Sequence, residues 1–250
     1  MIYGGVMFRT KKMVLLLILA WVISGSMKVY AQPADYESTS IQAEGFPQTV
    51  SLSDENRNTY SVSEENAVVT LMRSDGISSI YIEFDRLPPK WILKDPITGK
   101  SITCGENTFL HEYVDVETAF EELPQTLELC FEEGTVVAEI YAFSEGELPK
   151  WVQMWKPPCE KADLLLISSH SDDEQLFFSG ILPYYAGERG LQVQVAYVVQ
   201  HFEANQVKNH QRPHEQLDGL WKVGVRNYPV IVGCERMGGG EQPDAPAPCC

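Results

Sequence analysis

Residues 164–174 read LLLISSHSDDE, a short apolar run that ends in a cluster of polar side chains. A continuous apolar run of this length is typical of a strand buried on both faces of a parallel sheet. The polar cluster contains the imidazole of His170 and the carboxylates of Asp172, Asp173 and Glu174. Because open α/β sheets bind ligands at the carboxyl ends of their strands, this stretch predicts both a fold and a candidate site.

Strand and helix patterns alternate on both sides of this stretch. In chain order they cover residues 164–168 (strand), 173–185 (helix), 193–199 (strand), 214–223 (helix) and 228–232 (strand). This β-α-β-α-β order predicts a partial Rossmann-like α/β domain with parallel strands over residues 161–232. Pro183 should kink or end the first helix, because proline lacks a backbone N–H.

The spacing of the polar cluster points to metal chemistry. If the loop turns sharply, His170 and Asp173 can both reach one divalent cation and leave Asp172 beside it. Zinc lowers the pKa of a bound water, and a neighbouring carboxylate can take the proton as that water attacks a carbonyl. The cluster therefore indicates metal-assisted hydrolysis; the alternative is an ordinary solvated loop.

Residues 169–174, SHSDDE, resemble the signature of the PIG-L/LmbE family of zinc-dependent N-deacetylases: a small residue, His, Pro, Asp, Asp, Glu. The resemblance implies that His170 and Asp173 are zinc ligands. It also implies that Asp172 is the general base that activates water against an N-acetyl group on an amino sugar. Ser171 replaces the usual proline, a change that loosens the turn but removes no chemical group.

A second match lies at Arg212 and Glu215, which resemble the Arg-x-x-Glu that opens the family's second helix. Val223-Gly224-Val225 follows where the family has Leu-Gly-Val. The resemblance makes Arg212 a candidate substrate-binding residue. The alternative is a surface pair at helical spacing.

The family's third zinc ligand is a histidine in a later His-rich motif, and this chain has no such segment. His201, His210 and His214 stand elsewhere in the pattern, and we interpret them as surface residues. Residues 233–250 form an atypical tail rich in glycine, proline and cysteine. We therefore expect a C-terminally incomplete deacetylase domain with impaired activity, whose α/β portion holds together poorly.

Residues 49–150 contain six short strand-like runs separated by turn residues, at residues 59–62, 67–72, 78–84, 91–93, 126–131 and 136–143. Two stretches within them, Ser79–Phe84 and Thr126–Phe131, alternate clearly. The pattern predicts an antiparallel, jelly-roll-like β sandwich, so the chain is an α+β protein of two domains. The runs resemble the galactose-binding, discoidin-like modules that exported bacterial enzymes append. A structural sandwich without a ligand is equally compatible. Residues 32–48 are interpreted as a linker and residues 151–160 as a joint.

Residues 1–31 have the basic start, apolar core and small-residue end of a secretory signal peptide, with cleavage expected after Ala31. Its apolar core is too short for a comfortable membrane span. Its four basic residues would leave with it, changing the net charge from −16 to −20. So acidic a surface argues against nucleic acid as a partner. We expect a secreted or cell-surface protein.

Six cysteines show no metal-binding spacing. Export permits a disulfide between Cys104 and Cys130, and unpaired thiols are the equal alternative. Taken together, the sequence predicts an exported zinc-dependent N-deacetylase acting on an N-acetylated sugar or glycan. The alternative is a carbohydrate-binding protein whose α/β segment is a non-catalytic remnant.

Overall fold

The structure, a computed structural model, describes residues 32–199 and 211–234. The predicted signal peptide, His201, His210 and residues 235–250 of the tail lie outside the described residues. From Pro33 onward the described residues belong to one compact unit. Within these ranges no helix has the length and apolar character needed to cross a bilayer.

The N-terminal part is a sandwich of two antiparallel sheets. Its strands are β1 (Ser40–Glu44), β2 (Ser61–Val62), β3 (Ala67–Met72), β4 (Ser79–Phe84), β5 (Trp91–Lys94), β6 (Ser101–Cys104), β7 (His111–Asp115), β8 (Thr126–Phe131) and β9 (Val136–Phe143). One sheet has the order β1-β3-β8-β5-β6 and the other the order β2-β9-β4-β7. A 3-10 helix, Thr49–Leu52, and a short helix α1, Val116–Phe120, connect strands.

The core lies between the two sheets and follows from the alternation of the strands. In β3 and β8 every second residue is buried, among them Leu71 and Leu129. Strand β4 is buried at all six positions, because residues around Trp151 and Val152 cover its outer face over Tyr81. The predicted antiparallel sandwich is therefore confirmed.

Three elements of the sandwich were not predicted. Strand β1 lies in the predicted linker, residues 32–48, and pairs with β3, so that prediction was wrong for its middle. Strands β6 and β7 also escaped prediction, because one has four residues and the other, HEYVD, has a mixed polar sequence. Such segments acquire strand structure from their neighbours rather than from their own pattern.

The second part of the molecule is a parallel sheet in the order β10-β11-β12, formed by Leu164–Ser168, Val193–Val199 and Val230–Cys234. The first two strands are as predicted, and the third lies two residues later. The predicted helix over residues 173–185 is broken into α2 (Asp173–Leu176), a turn and a π-helix (Pro183–Glu188). Gly180 and Pro183 account for the break, since both disfavour helix interiors.

Helix α3 (Gln211–Lys222) and the π-helix pack on one face of the parallel sheet, against Leu166, Val195 and Tyr197. Most of the opposite face, which we call the bare face, is exposed to solvent among the described residues. Leu165 is 57% exposed, Ile167 60% and Val232 59%. Parallel sheets normally have both faces covered, so this is half of the usual arrangement.

The structure contradicts the proposed disulfide between Cys104 and Cys130, and both thiols are free. The two cysteines lie on β6 and β8, which flank β5 on opposite sides. The two cysteines are therefore separated by two strand spacings of about 4.8 Å each, a distance that exceeds the reach of a disulfide. Cys104 pairs with buried Trp91 and Cys130 with exposed Ile92, so the two side chains also point to opposite faces.

Candidate functional site

The turn after β10 brings His170 and Asp173 together. The Asp173 carboxylate accepts a hydrogen bond from the His170 backbone N–H at 3.0 Å, and its Oδ2 lies 3.3 Å from His170 Nδ1. Ser168 Oγ donates to the His170 carbonyl at 2.9 Å, which tightens the turn. The sharp turn expected from the sequence is present, and both side chains are half-buried.

Asp172 sits between these two residues on the exposed side. It occupies the N-cap of α2, but its side chain accepts no capping hydrogen bond. Its carboxylate is therefore open to solvent beside the His170 and Asp173 pair. The arrangement offers one nitrogen atom and one oxygen atom that could ligate a metal, and a separate carboxylate, at the carboxyl end of a parallel strand.

A buried polar group lies behind the turn. Burial, followed by the charges of Asp172 and Asp173, raises the pKa of Glu174. Burial also raises the pKa of Tyr197, whose hydroxyl interacts with Glu174 and with Gln216 of α3. Tyr197 and Gln194 are the two polar residues of a strand that is otherwise aliphatic, and this is the one sequence signal that could have revealed Tyr197. Gln216 had none.

The residues present fit a metal only in part. His170 and Asp173 supply two donors of the type that zinc takes. In residues 32–199 and 211–234 no group of three or more His, Cys, Asp or Glu side chains could hold a metal ion. The predicted zinc ligands therefore stay a prediction.

Arg212, the predicted substrate-binding residue, pairs with Glu215 at 3.9 Å among the described residues. Both side chains are more than half exposed. This is the geometry of the surface-pair alternative, and the role in substrate binding stays a prediction. The preceding residue makes a shorter contact: the Gln211 side-chain amide donates to Asn58 Oδ1 of the sandwich at 2.5 Å.

The sandwich and α3 are joined by a partly buried polar network. Arg57 of the sandwich bonds to Glu83 on β4 at 2.7 Å and to Asp218 on α3 at 2.5 Å. Gln153 also donates to Asp218, at 2.6 Å. Because these partners are 26 to 161 residues apart in the chain, the sequence carried no signal of the network.

Two histidines stack at the centre of this junction. His111 Nε2 lies 2.6 Å from His214 Nδ1, and the Tyr81 hydroxyl lies 3.0 Å from His111 Nδ1. Interpreting His214 as a surface residue was wrong, since it is 2% exposed. It lies on the face of α3 that meets β7, a contact that helical periodicity does not reveal.

The sandwich has a small cavity that combines aromatic and acidic side chains. It has a volume of about 250 Å³, with Tyr36 and Tyr141 among its lining residues. Glu37 and Glu55 also line it, together with the hydroxyl-bearing residues Thr39 and Ser53. No basic side chain lines it, so the cavity suits a neutral or cationic ligand rather than an anion.

Beside this cavity a buried carboxyl faces a second one. Glu139 is fully buried, and its pKa is raised to about 8 by burial and by a hydrogen bond with Asp54. Its Oε1 accepts from the Asn56 backbone N–H at 2.7 Å. Hydrogen bonds from Thr59 and Asn56 contribute to lowering the pKa of Asp54. The pair therefore holds a proton at Glu139 and the negative charge at Asp54.

No protein-family model matches the sequence, and neither does any curated protein sequence. Solved structures match at low similarity. One is described as "CpGH89CBM32-6 produced by Clostridium perfringens", at 19% identity and a TM-score of 0.36, covering 44% of this chain and 95% of the other. A pectin-binding carbohydrate-binding module matches at 12% identity and a TM-score of 0.30, covering 46% and 96%. Allantoicase from Saccharomyces cerevisiae matches at 11% and 0.30, covering 45% and 40%.

Proposed function

We propose that this chain is an exported, metal-dependent N-deacetylase whose site lies at the carboxyl end of β10. The observation that carries the proposal is the turn that puts His170 Nδ1 within 3.3 Å of Asp173 Oδ2 and leaves the Asp172 carboxylate exposed beside them. The substrate class is an N-acetylated amino sugar within a glycan. The parallel sheet would belong to a Rossmann-like domain.

His170 and Asp173 would hold a divalent metal, with a further ligand from outside the described residues. A metal held there would supply an acidic water near neutral pH. Asp172 would be the general base that takes a proton from the attacking water and returns it to the leaving amine. The buried Glu174 and Tyr197 fix the turn from behind.

Acetate release tests this proposal. The full chain should release acetate from N-acetylglucosamine oligosaccharides when zinc is added, and Asp172→Asn should abolish the release. The matched control is Glu160→Gln, an exposed carboxylate before β10, which should keep the wild-type rate. Zinc stoichiometry by plasma mass spectrometry should fall in His170→Ala but not in the control. Zinc-independent release, or equal zinc in both variants, would refute the proposed site.

The second candidate is carbohydrate binding by the sandwich without catalysis. The lining of the cavity at Tyr36 and Tyr141 favours it, because aromatic faces and hydrogen-bonding side chains together suit sugar rings. In this case the α/β part would be a non-catalytic remnant. Glycan binding by the sandwich does not by itself exclude catalysis, since a binding module can hold the glycan on which the other part acts.

Titration calorimetry with the same oligosaccharides separates the two candidates. Binding that is weakened in Glu55→Gln but unchanged in Asp172→Asn, with no acetate released, supports the binding protein. Glu64→Gln, an exposed carboxylate of the sandwich outside the cavity lining, is the matched control. Binding that is lost only in Asp172→Asn would assign glycan recognition to the α/β part instead.

A further inference from the structure

The junction between the sandwich and α3 contains an imidazole pair that shares a single hydrogen between its facing nitrogens. His111 Nε2 and His214 Nδ1 are 2.6 Å apart, and the rings stack with centroids 4.9 Å apart. His111 is fully buried and His214 nearly so. One nitrogen must donate and the other accept, so both cannot carry a hydrogen while this contact exists.

We propose that this pair is a pH-sensitive latch: protonation of the two histidines releases α3 from the sandwich. A first added proton places a charge in a fully buried ring. A second places two N–H groups against each other at the contact and breaks the hydrogen bond. The proposal stands independently of the deacetylase activity.

The charged groups around the pair are bonded to one another. The Tyr81 hydroxyl on β4 is uncharged and already bonded to His111 Nδ1. The carboxylates of Glu83 on β4 and Asp218 on α3 are both paired with Arg57. Gln153, from the segment that follows the sandwich, is neutral. Burial first, and then His214 and the Arg57 cation, hold the pKa of His111 well below its usual range.

The direction of the pH effect follows from that depressed pKa. Above about pH 6.5 a solvent-exposed imidazole is neutral, so the open form, in which α3 is released, takes up no proton and the closed form keeps its contact at full strength. Below that pH the open form binds a proton that the closed form excludes. For each excluded proton, the ratio of the closed to the open form therefore falls about tenfold per pH unit.

Release of α3 would reach the turn that carries His170. Gln216, two residues after His214, contacts Tyr197, and Tyr197 contacts Glu174 directly behind that turn. A non-titrating contact elsewhere limits the movement: Tyr228 stacks on Phe109 of the sandwich with ring centroids 4.4 Å apart. The latch therefore opens α3 while the base of the α/β part stays attached.

Two tryptophans report on the junction. Trp155 and Trp221 are in edge contact at 5.4 Å, and Trp155 donates to Gln153. We expect the emission of the full chain to shift to longer wavelength between about pH 6.5 and 4.5 while the far-ultraviolet circular dichroism of the β strands is retained. The double variant His111→Gln with His214→Gln should lose this shift, and His170→Gln should keep it.

A shift that persists unchanged in the double variant would overturn the latch, as would emission that changes only with global unfolding. If the double variant does not fold at pH 7.5, His214→Gln alone decides. With one imidazole left, the shift should move at least about one pH unit lower, because the second protonation is gone. An unmoved midpoint in that variant would also overturn the proposal.

Discussion

The β sandwich and the parallel sheet are made of similarly apolar strands, yet they differ in how many of their faces are covered. Strand β4, SIYIEF, is buried at all six positions, whereas β10, LLLIS, exposes Leu165 and Ile167. The more apolar strand is the less buried one. Burial is thus decided by what packs on a strand, and the stability of the two regions should differ accordingly.

The largest effect is expected in the sandwich core. Leu129 on β8 is fully buried between the sheets, so Leu129→Ala should lower the free energy of unfolding by about 3 kcal/mol. Ile167→Ala on the bare face should lower it by less than about 0.5 kcal/mol. Urea titration followed by circular dichroism measures both. Equal losses would mean that Ile167 is covered in solution.

A close backbone approach should dominate the α/β part. Gly224 has φ +96°, and a Cβ there would lie 2.5 Å from the Gly187 Cα of the π-helix. Gly224→Ala should therefore destabilise this part by about 2 kcal/mol or more. Gly190, at φ +62° with open space around it, is the matched control and should lose only about 1 kcal/mol on change to alanine.

Thermal unfolding watched by tryptophan emission would detect this difference. If Gly190→Ala costs as much as Gly224→Ala, backbone strain alone explains both, and the approach to Gly187 is not tight. The Val223-Gly224-Val225 stretch was chosen from the sequence for its resemblance to a family motif. In the structure this stretch needs a glycine at 224 to pack against Gly187, and that requirement does not depend on the family.

Glu139 inside the sandwich and the histidine junction with α3 should respond to pH in opposite directions. Glu139 in the sandwich has its pKa raised to about 8, so the folded state binds a proton that the unfolded state releases above pH 4.5. The sandwich should lose stability as pH rises from about 4.5 to 8, by about 2 kcal/mol, whereas the histidine junction loses stability as pH falls. Midpoints of urea unfolding across that range measure the slope.

Glu139→Gln should flatten this dependence, because a neutral amide replaces the proton-bearing carboxyl. Glu133→Gln, which changes an exposed carboxylate beside β9, should leave the slope as in the wild type. If Glu139→Gln kept the wild-type slope, Glu139 would not be the group that takes up the proton in the folded state.

The sequence predicted what local pattern encodes. Strands with clear alternation or continuous apolar runs, such as β3, β8 and β10, have the predicted bounds, and the turn between His170 and Asp173 follows from their spacing. What it did not predict depends on partners far along the chain. The His111 and His214 contact joins residues 103 apart, and β1 is a strand only because β3 pairs with it.

The smallest effect on stability, but a clear one on solubility, is expected at the bare face. Replacing Leu165 and Ile167 together by serine should change the free energy of unfolding by less than about 1 kcal/mol, because both side chains are more than half exposed. The same change should reduce binding of a hydrophobic dye and slow aggregation, since contiguous exposed apolar surface promotes association. Replacing Val62 and Ile92, exposed singly on the sandwich, should leave dye binding as it is. If serine at 165 and 167 instead unfolds the parallel sheet, then this face is packed in solution and the contrast between the two regions disappears.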